Sequence, residues 1–330
     1  MRPVPRTFLT TLLLLPLLTA APLAMAHGTG GHHDDGGPPG PRTWHDLPTT
    51  WSTDPLSWVT LAVTAAVYAT GLRRLRRGGE ARRDGGPRRR VTGREVACFA
   101  AGWAALFVAL VSPVHPWGNV LFSVHMTQHE ILMLVAAPLL VLGRPVVVSL
   151  KGLPRTWASG LGWTMNRPAW LAARHALEHP LVAWVVHGVA LWAWHIPALF
   201  DAAVRSEPVH FLQHASFFGT ALLFWWALFN ARRGPAAYGA GVLYLFTTAV
   251  HSSLLGALLT FARTLWYEPY ADTTRSWGLT ALQDQQLGGL IMWVPAGLVY
   301  AGAGLAMVVG WLRESERLVL ARESQVALKP

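Results

Sequence analysis

Residues 123–143 read SVHMTQHEILMLVAAPLLVLG. Polar side chains crowd the first third of this stretch, whereas the rest is almost entirely apolar. A helix needs about 20 predominantly apolar residues to cross the ~30 Å hydrocarbon core of a bilayer, and this stretch is long enough. Unpaired polar groups are costly in hydrocarbon, so the two histidines in this segment predict a ligand-binding or hydrogen-bonding role.

The composition of the whole chain agrees with a membrane location. Of its 330 residues, 52% are hydrophobic and only 13% are charged, against about 25% charged residues in ordinary soluble domains. Apolar stretches recur seven times and predict an all-α, polytopic membrane domain over residues 56–312. The seven predicted spans are Leu56–Leu72, Val96–Val114, Val120–Leu142, Leu181–Leu199, Val209–Phe229, Gly239–Ala262 and Leu282–Leu312. The single cysteine, Cys98, excludes an intramolecular disulfide and a Cys-rich zinc site.

The N-terminal segment has the pattern of a secretory signal. Residues 1–26 combine a basic start, an apolar core and an A-x-A site at 24–26; an uncleaved anchor helix is the alternative. Residues 27–55 then form a His/Gly/Pro-rich external leader. Cleavage after Ala26 would expose His27 as the first residue, close to His32 and His33, which predicts a possible copper-capture site. Incidental histidines in a flexible leader are the alternative.

The distribution of basic residues predicts the orientation. Of the 27 Lys and Arg residues, 21 fall on one side of the seven spans, ten of them in the segment 73–94. The positive-inside rule places this side in the cytoplasm, so the mature N-terminus lies outside and the tail 313–330 lies inside. The net charge of +10 is therefore a topology signal and does not indicate nucleic-acid binding. The Arg-rich segment also suits contact with anionic lipid of the bilayer.

This orientation gathers most of the membrane histidines near the outer face. His125 and His129 are four residues apart, so they lie about 40° apart on one helix face, with Met126 beside them. His210 and His214 repeat this spacing on the fifth span, and such a pair can bind one metal ion. The remaining polar candidates at or near this side are His195, His115, His251 and Asp284.

The residues leave three kinds of cofactor open. Imidazole with thioether and without thiolate suits copper, especially Cu(I). Imidazole with Asp284 would suit zinc and an intramembrane hydrolase. Histidine pairs on facing helices could also hold haem. Single histidines such as His187 or His251 are also typical of ordinary packing. The spacing of the histidines does not decide among the three kinds of cofactor.

Several motifs resemble the multi-spanning CtaG family of bacterial assembly factors for caa-type cytochrome c oxidase. They are HMTQHEILMLVAAPLLVLGRP (125–145), WHIP (194–197), HFLQHASFFGTALLFWW (210–226), HSSLLGALLTFA (251–262) and DQQLGGLIMWVP (284–295). The resemblance covers about residues 56–312. It implies a non-enzymatic protein of the bacterial plasma membrane that supports a copper centre, with oxidase subunits and other copper chaperones as partners.

We therefore expect copper near the outer face, with bis-histidine haem binding as the alternative and a zinc-dependent hydrolase as the third reading. The expected ligands are His125, His129, His210 and His214, followed by Met126 and His195. The expected additional ligands or residues that orient the ligands are His115, His251, Asp284, Gln128, Gln285 and Gln286.

Overall fold

The computed structural model describes residues 44–46, 49–77, 91–230 and 234–327. The predicted signal, His27, His32, His33 and most of the Arg-rich segment lie outside these described residues. Within them the regular elements are helices and there is no β-strand, which confirms the all-α prediction.

Thirteen α-helices follow one another in the described residues. They are α1 Pro55–Arg77, α2 Gly93–Leu110, α3 Val114–Gly118, α4 Phe122–Glu130, α5 Ala137–Gly143, α6 Pro145–Gly152, α7 Arg155–Met165, α8 Pro168–Leu177, α9 Pro180–Trp194, α10 Pro197–Arg205, α11 Glu207–Asn230, α12 Pro235–Thr260 and α13 Ala281–Ala327. A π-helical segment, Ile131–Ala136, joins α4 to α5 without a break. Short 3₁₀ turns occupy Trp44–Asp46, Glu268–Tyr270 and Arg275–Trp277.

Fewer helices qualify as membrane spans than the seven that the sequence predicted. Five are long and apolar enough: Pro55–Arg77, Gly93–Leu110, Phe122–Gly143, Ala237–Thr260 and Ala281–Ala321. The pair α8 and α9, bent by 74°, makes a sixth if it is one span. Helix α11 has 24 residues and is long enough, but the polar residues of its first turns lower its mean hydropathy. Length and composition thus support five or six spans.

Helix α11 lies at the centre of the bundle. Its residues 221–228 are all buried, and a helix that is apolar all round belongs in a core. It packs against α9, α10, the π-helical segment and α5. The Trp225 indole donates a hydrogen bond to the carbonyl oxygen of Met133 at 2.9 Å, which satisfies a backbone group of the π-helical segment.

Small residues allow α12 and α13 to approach closely. A Cβ atom added to Gly289 would lie 2.6 Å from the backbone nitrogen of Thr260 and 2.8 Å from the carbonyl oxygen of Gly256. Only glycine fits there, in agreement with the enrichment of small residues where membrane helices cross. Helix α13 also packs against α4, so it holds the histidine-bearing helix in place.

The 143–180 region, which we expected to be a loop, contains three short helices. Pro145 and Pro168 begin α6 and α8. Proline suits the first position of a helix because the N–H group that it lacks would have no partner within the helix there. Arg144 adopts a left-handed conformation, with φ of 48°, and so interrupts the helical backbone between α5 and α6. At the other end of the sequence, α13 runs on to Ala327, so residues 313–327 continue the last helix.

Candidate metal centre

The two histidine pairs face each other across α4 and α11. Ring centroids are 4.4 Å apart within the pair His125–His129 and 4.2 Å apart within His210–His214. Across the helices, His125 lies 5.1 Å from His210, and His129 lies 5.1 Å from His214. The structure therefore brings together the four histidines that spacing alone had placed on two separate faces.

Three of these rings converge on one point. One ring nitrogen from each of His125, His210 and His214 lies within 4.8 Å of the other two. Imidazole nitrogens bind zinc at about 2.0–2.1 Å, and first-row metals of similar size need comparable distances. Small side-chain rotations would therefore bring all three nitrogens onto one ion.

Two oxygen atoms face Nδ1 of His125 and can accept its proton. The Tyr270 hydroxyl donates to the Gly118 carbonyl oxygen at 2.8 Å, so its oxygen faces His125 Nδ1, 3.1 Å away, as an acceptor. Burial and the nearby Asp284 carboxylate raise the pKa of Tyr270 well above its usual value, so it remains a donor. The Nε2 atom of His125 lies 3.3 Å from the Gln213 Oε1 atom, which is also an acceptor. With the proton on Nδ1, metal binding through Nε2 therefore requires the Gln213 amide to turn aside.

Several ring nitrogens of the cluster are buried without a hydrogen-bond partner. Burial of a polar atom without a hydrogen-bond partner costs free energy. So many such atoms together indicate that a bound group interacts with them. The unpartnered atoms are both ring nitrogens of His129 and the Nε2 atoms of His195, His210 and His214. The donor set fits a metal ion that prefers nitrogen ligands.

His195 is oriented by its own helix. Its Nδ1 donates to the Leu191 carbonyl oxygen at 2.6 Å, which leaves Nε2 as the nitrogen with a free lone pair. The Tyr267 hydroxyl donates to the backbone oxygen of His195 at 3.0 Å. The ring lies 6.3 Å from Phe200 and 6.0 Å from Phe217 between centroids. It is therefore held beside the cluster, with the tautomer that metal binding requires.

His115 has a different role at the edge of the cluster. Its ring stacks on that of His210 at 5.6 Å. Gln128 donates to His115 Nδ1 at 2.9 Å and to the Ala109 carbonyl oxygen at 2.7 Å, so the ring carries its proton on Nε2 and does not offer a free lone pair. Burial lowers the pKa of His115, an effect partly opposed by Asp54 and Glu207. Gln128 thus supports the ring that packs on His210.

Two further candidates lie against other neighbours. The buried side chain of Met126 lies beside Gly288 of α13, because its Cγ would be 3.2 Å from a Cβ atom added there. His251 packs edge-on against Trp184 at 5.6 Å and next to Gly188 of α9. His251 does not belong to the group in which His125, His210 and His214 converge.

The DQQ residues of α13 bind backbone groups and not imidazoles. Asp284 accepts hydrogen bonds from the backbone N–H groups of Phe122 at 2.6 Å and Ser123 at 3.2 Å, and from the Ser123 hydroxyl. Gln285 accepts from Trp266 N–H at 2.7 Å, and Gln286 donates to the Ala262 carbonyl oxygen at 2.9 Å. Asp284 therefore caps the N-terminus of α4, and the glutamines hold the segment 261–280.

Aromatic side chains close the cluster on the side of α10 and of the segment 261–280. Phe200 is completely buried and lies 5.1 Å from His125 and 4.3 Å from Tyr267 between ring centroids. His115 and His210 remain partly exposed, whereas His125 and His129 are only 1% and 2% exposed. The approach from the surface therefore passes His115 and His210 first.

Sequence reasoning missed two residues beside the cluster, Gln213 and Tyr270, which both face His125. The position of Gln213, three residues after His210, was a usable signal because residues three apart share a helix face. Nothing local pointed to Tyr270, which lies 145 residues from His125 in the chain.

Comparison with known proteins places the chain in a family. The model of the family described as cytochrome c oxidase caa3 assembly factor matches residues 66–314. The chain belongs to the CtaG family. The apolar helices fit a multi-pass membrane protein.

The similar curated proteins come from mycobacteria and are described as uncharacterized. Those of Mycobacterium bovis and Mycobacterium tuberculosis are each 31% identical over 271 residues, which cover 80% of this chain and 40% of theirs. That of Mycobacterium leprae is 28% identical over 266 residues, 77% of this chain and 38% of its own. The chain thus spans about 40% of the length of these relatives. No solved structure matches it.

Proposed function

We propose that this member of the family carries copper as cargo for the oxidase and holds it in the histidine cluster between α4 and α11. The convergence of His125, His210 and His214 within 4.8 Å carries the proposal. Three imidazoles that have few other partners would hold a soft ion firmly and still release it to stronger ligands on another protein.

The surroundings of the cluster favour copper over zinc hydrolysis. Asp284, the carboxylate that could have completed a zinc site, already accepts three hydrogen bonds at the start of α4. A hydrolase also needs a group that activates water, and the sequence supplies no motif for one. Neutral imidazoles without thiolate are compatible with Cu(I).

The crowding of the rings also favours an ion over haem. A porphyrin needs a wide, flat space between its two axial histidines. Here the rings of His125 and His129 lie within 5.8 Å of His214, and Phe200 and Phe217 pack directly against the same cluster. An ion fits among these rings with little rearrangement, whereas haem would require the helices to separate.

We also propose that the cluster opens to the outer face of the bacterial plasma membrane. The 21 basic residues on the other side support this orientation. Helix α11 has 24 residues and is long enough to cross the membrane as a seventh span. Its polar first turns are tolerated in the membrane because they face the protein interior. An external mature N-terminus would then present His27, His32 and His33 to incoming copper after signal cleavage.

Single alanine variants test the copper function. Full-length protein, purified in detergent, is titrated with Cu(I) against a chromogenic chelator. Copper-loaded oxidase is measured in membranes in which each variant is the only copy. We expect His125→Ala, His210→Ala and His214→Ala to lower Cu(I) affinity at least about tenfold and to reduce active oxidase, with added copper restoring part of it by mass action.

The exposed residues His175 and His179 provide matched controls. Their alanine variants also remove an imidazole but should leave both measurements unchanged. Normal copper-loaded oxidase in the His214→Ala strain, with the variant present at the normal level, would contradict copper delivery. A stoichiometric haem spectrum that depends on His129 or His214 would favour the haem alternative.

A further inference from the structure

The cluster contains more free nitrogen ligands than one ion needs. His125, His210 and His214 already supply three converging nitrogens. His129 has two further buried nitrogens without a hydrogen-bond partner, and His195 has one. A single three-coordinate ion therefore leaves the free nitrogens of His129 and His195 without a ligand.

These two rings lie against the same phenylalanine. His129 and His195 are 2% and 4% exposed, comparable to His125 at 1%, whereas His210 is partly exposed. Both rings contact Phe217, at 4.7 Å and 6.0 Å between centroids. His195 also lies within electrostatic interaction range of His129.

The ring of His129 lies directly beside the converging group. It meets the rings of His125 and His214 nearly at right angles, at 4.4 Å and 5.1 Å between centroids. His195 offers Nε2 because its Nδ1 is bound to the Leu191 carbonyl oxygen. A fixed second nitrogen is the usual arrangement of a metal-binding histidine.

We propose that His129 and His195 form a second position for a soft monovalent cation, next to the position formed by His125, His210 and His214. This inference rests on the proposed copper function and extends it from one ion to two. The two positions are one side chain apart, so an ion can pass between them by exchanging one imidazole for another. The partly exposed His210 marks the shallow end of this path.

Counting bound ions tests the proposal directly. The full chain carries His27→Ala, His32→Ala and His33→Ala, so that the leader does not contribute. Native mass spectrometry then counts Cu(I), and in parallel the redox-stable Ag(I), bound to each chain. We expect two ions for this background protein, one after adding His195→Ala or His129→Ala, and two after adding the exposed control His175→Ala.

The outcomes separate the two proposals. One ion in the background protein, or two ions that persist in both His129→Ala and His195→Ala, would overturn the second position and leave the copper function standing. No bound ion in the unmodified full chain would overturn both. If the His195→Ala variant does not fold, as judged by its helical circular dichroism, His195→Gln takes its place. The number of ions bound to the background protein tests the second position in either case.

Discussion

The proton position on His125 depends on one distant hydroxyl group. Tyr270 donates to Gly118 and places its oxygen 3.1 Å from His125 Nδ1. Without that hydroxyl, His125 Nδ1 would retain only the longer contact of 3.3 Å to the Gly118 carbonyl oxygen. The proton would then move more readily to Nε2, where the Gln213 Oε1 atom can accept it at 3.3 Å.

Tyr270→Phe should therefore weaken copper binding without removing a ligand. We expect Cu(I) affinity to fall about tenfold, the lower end of the range for groups that orient metal ligands, as measured by chelator competition. Tyr244→Phe is the matched control, because the Tyr244 hydroxyl bonds the Phe224 carbonyl oxygen at 3.3 Å, in contact with no histidine. Equal affinities in the two variants would contradict the role of Tyr270.

At the level of elements, α4 depends on α13 for its N-terminal cap. The first N–H groups of a helix have no partner within it, and Leu121, the residue before α4, provides no side-chain cap. Asp284 supplies the missing acceptors from another helix. The same carboxylate thereby fixes the position of the helix that carries His125 and His129.

Asp284→Ala should destabilise the metal-free protein, as expected for a capping residue. Loss of an N-terminal cap costs about 0.5–2 kcal/mol, so we expect a lower thermal midpoint and weaker copper binding. Asp284→Asn should be intermediate because one acceptor remains. The control is Asp272→Ala, which removes a carboxylate that is 90% exposed and lies 4.0 Å from Arg275. An unchanged midpoint with lost copper would instead identify Asp284 as a ligand.

How far the sequence predicted the site depends on the range of the interactions. The pairs His125–His129 and His210–His214 follow from helix periodicity, and the structure does place them together. The actual role of Asp284 was not predictable, because its partner Ser123 is 161 residues away. The three short helices of the 143–180 region also escaped the hydropathy pattern, since none is long enough to span a membrane.

For the whole molecule, the orientation in the membrane decides which compartment supplies the copper. The positive-inside rule predicts a cytoplasmic C-terminus and an external segment 263–280. A phosphatase or fluorescent reporter fused after Pro330 should behave as cytoplasmic, and one inserted in 263–280 as external. The opposite pattern would place the histidine cluster on the cytoplasmic side and would contradict delivery from outside.

The π-helical segment Ile131–Ala136 also constrains how this family can vary in length. Such a segment holds one residue more than an α-helix would over the same turn. A deletion within this segment can be absorbed by a return to regular α-helical winding, which leaves the two halves of the helix facing as they do now. A deletion in the regular helix that follows, Ala137–Gly143, would instead turn the residues on its two sides relative to each other by about 100°. Gly143 would then leave its close contact with Phe99 on α2, or His125 and His129 would leave α11. Descendants of this gene can therefore lose a single codon within Ile131–Ala136 more readily than in the helical turns beside it.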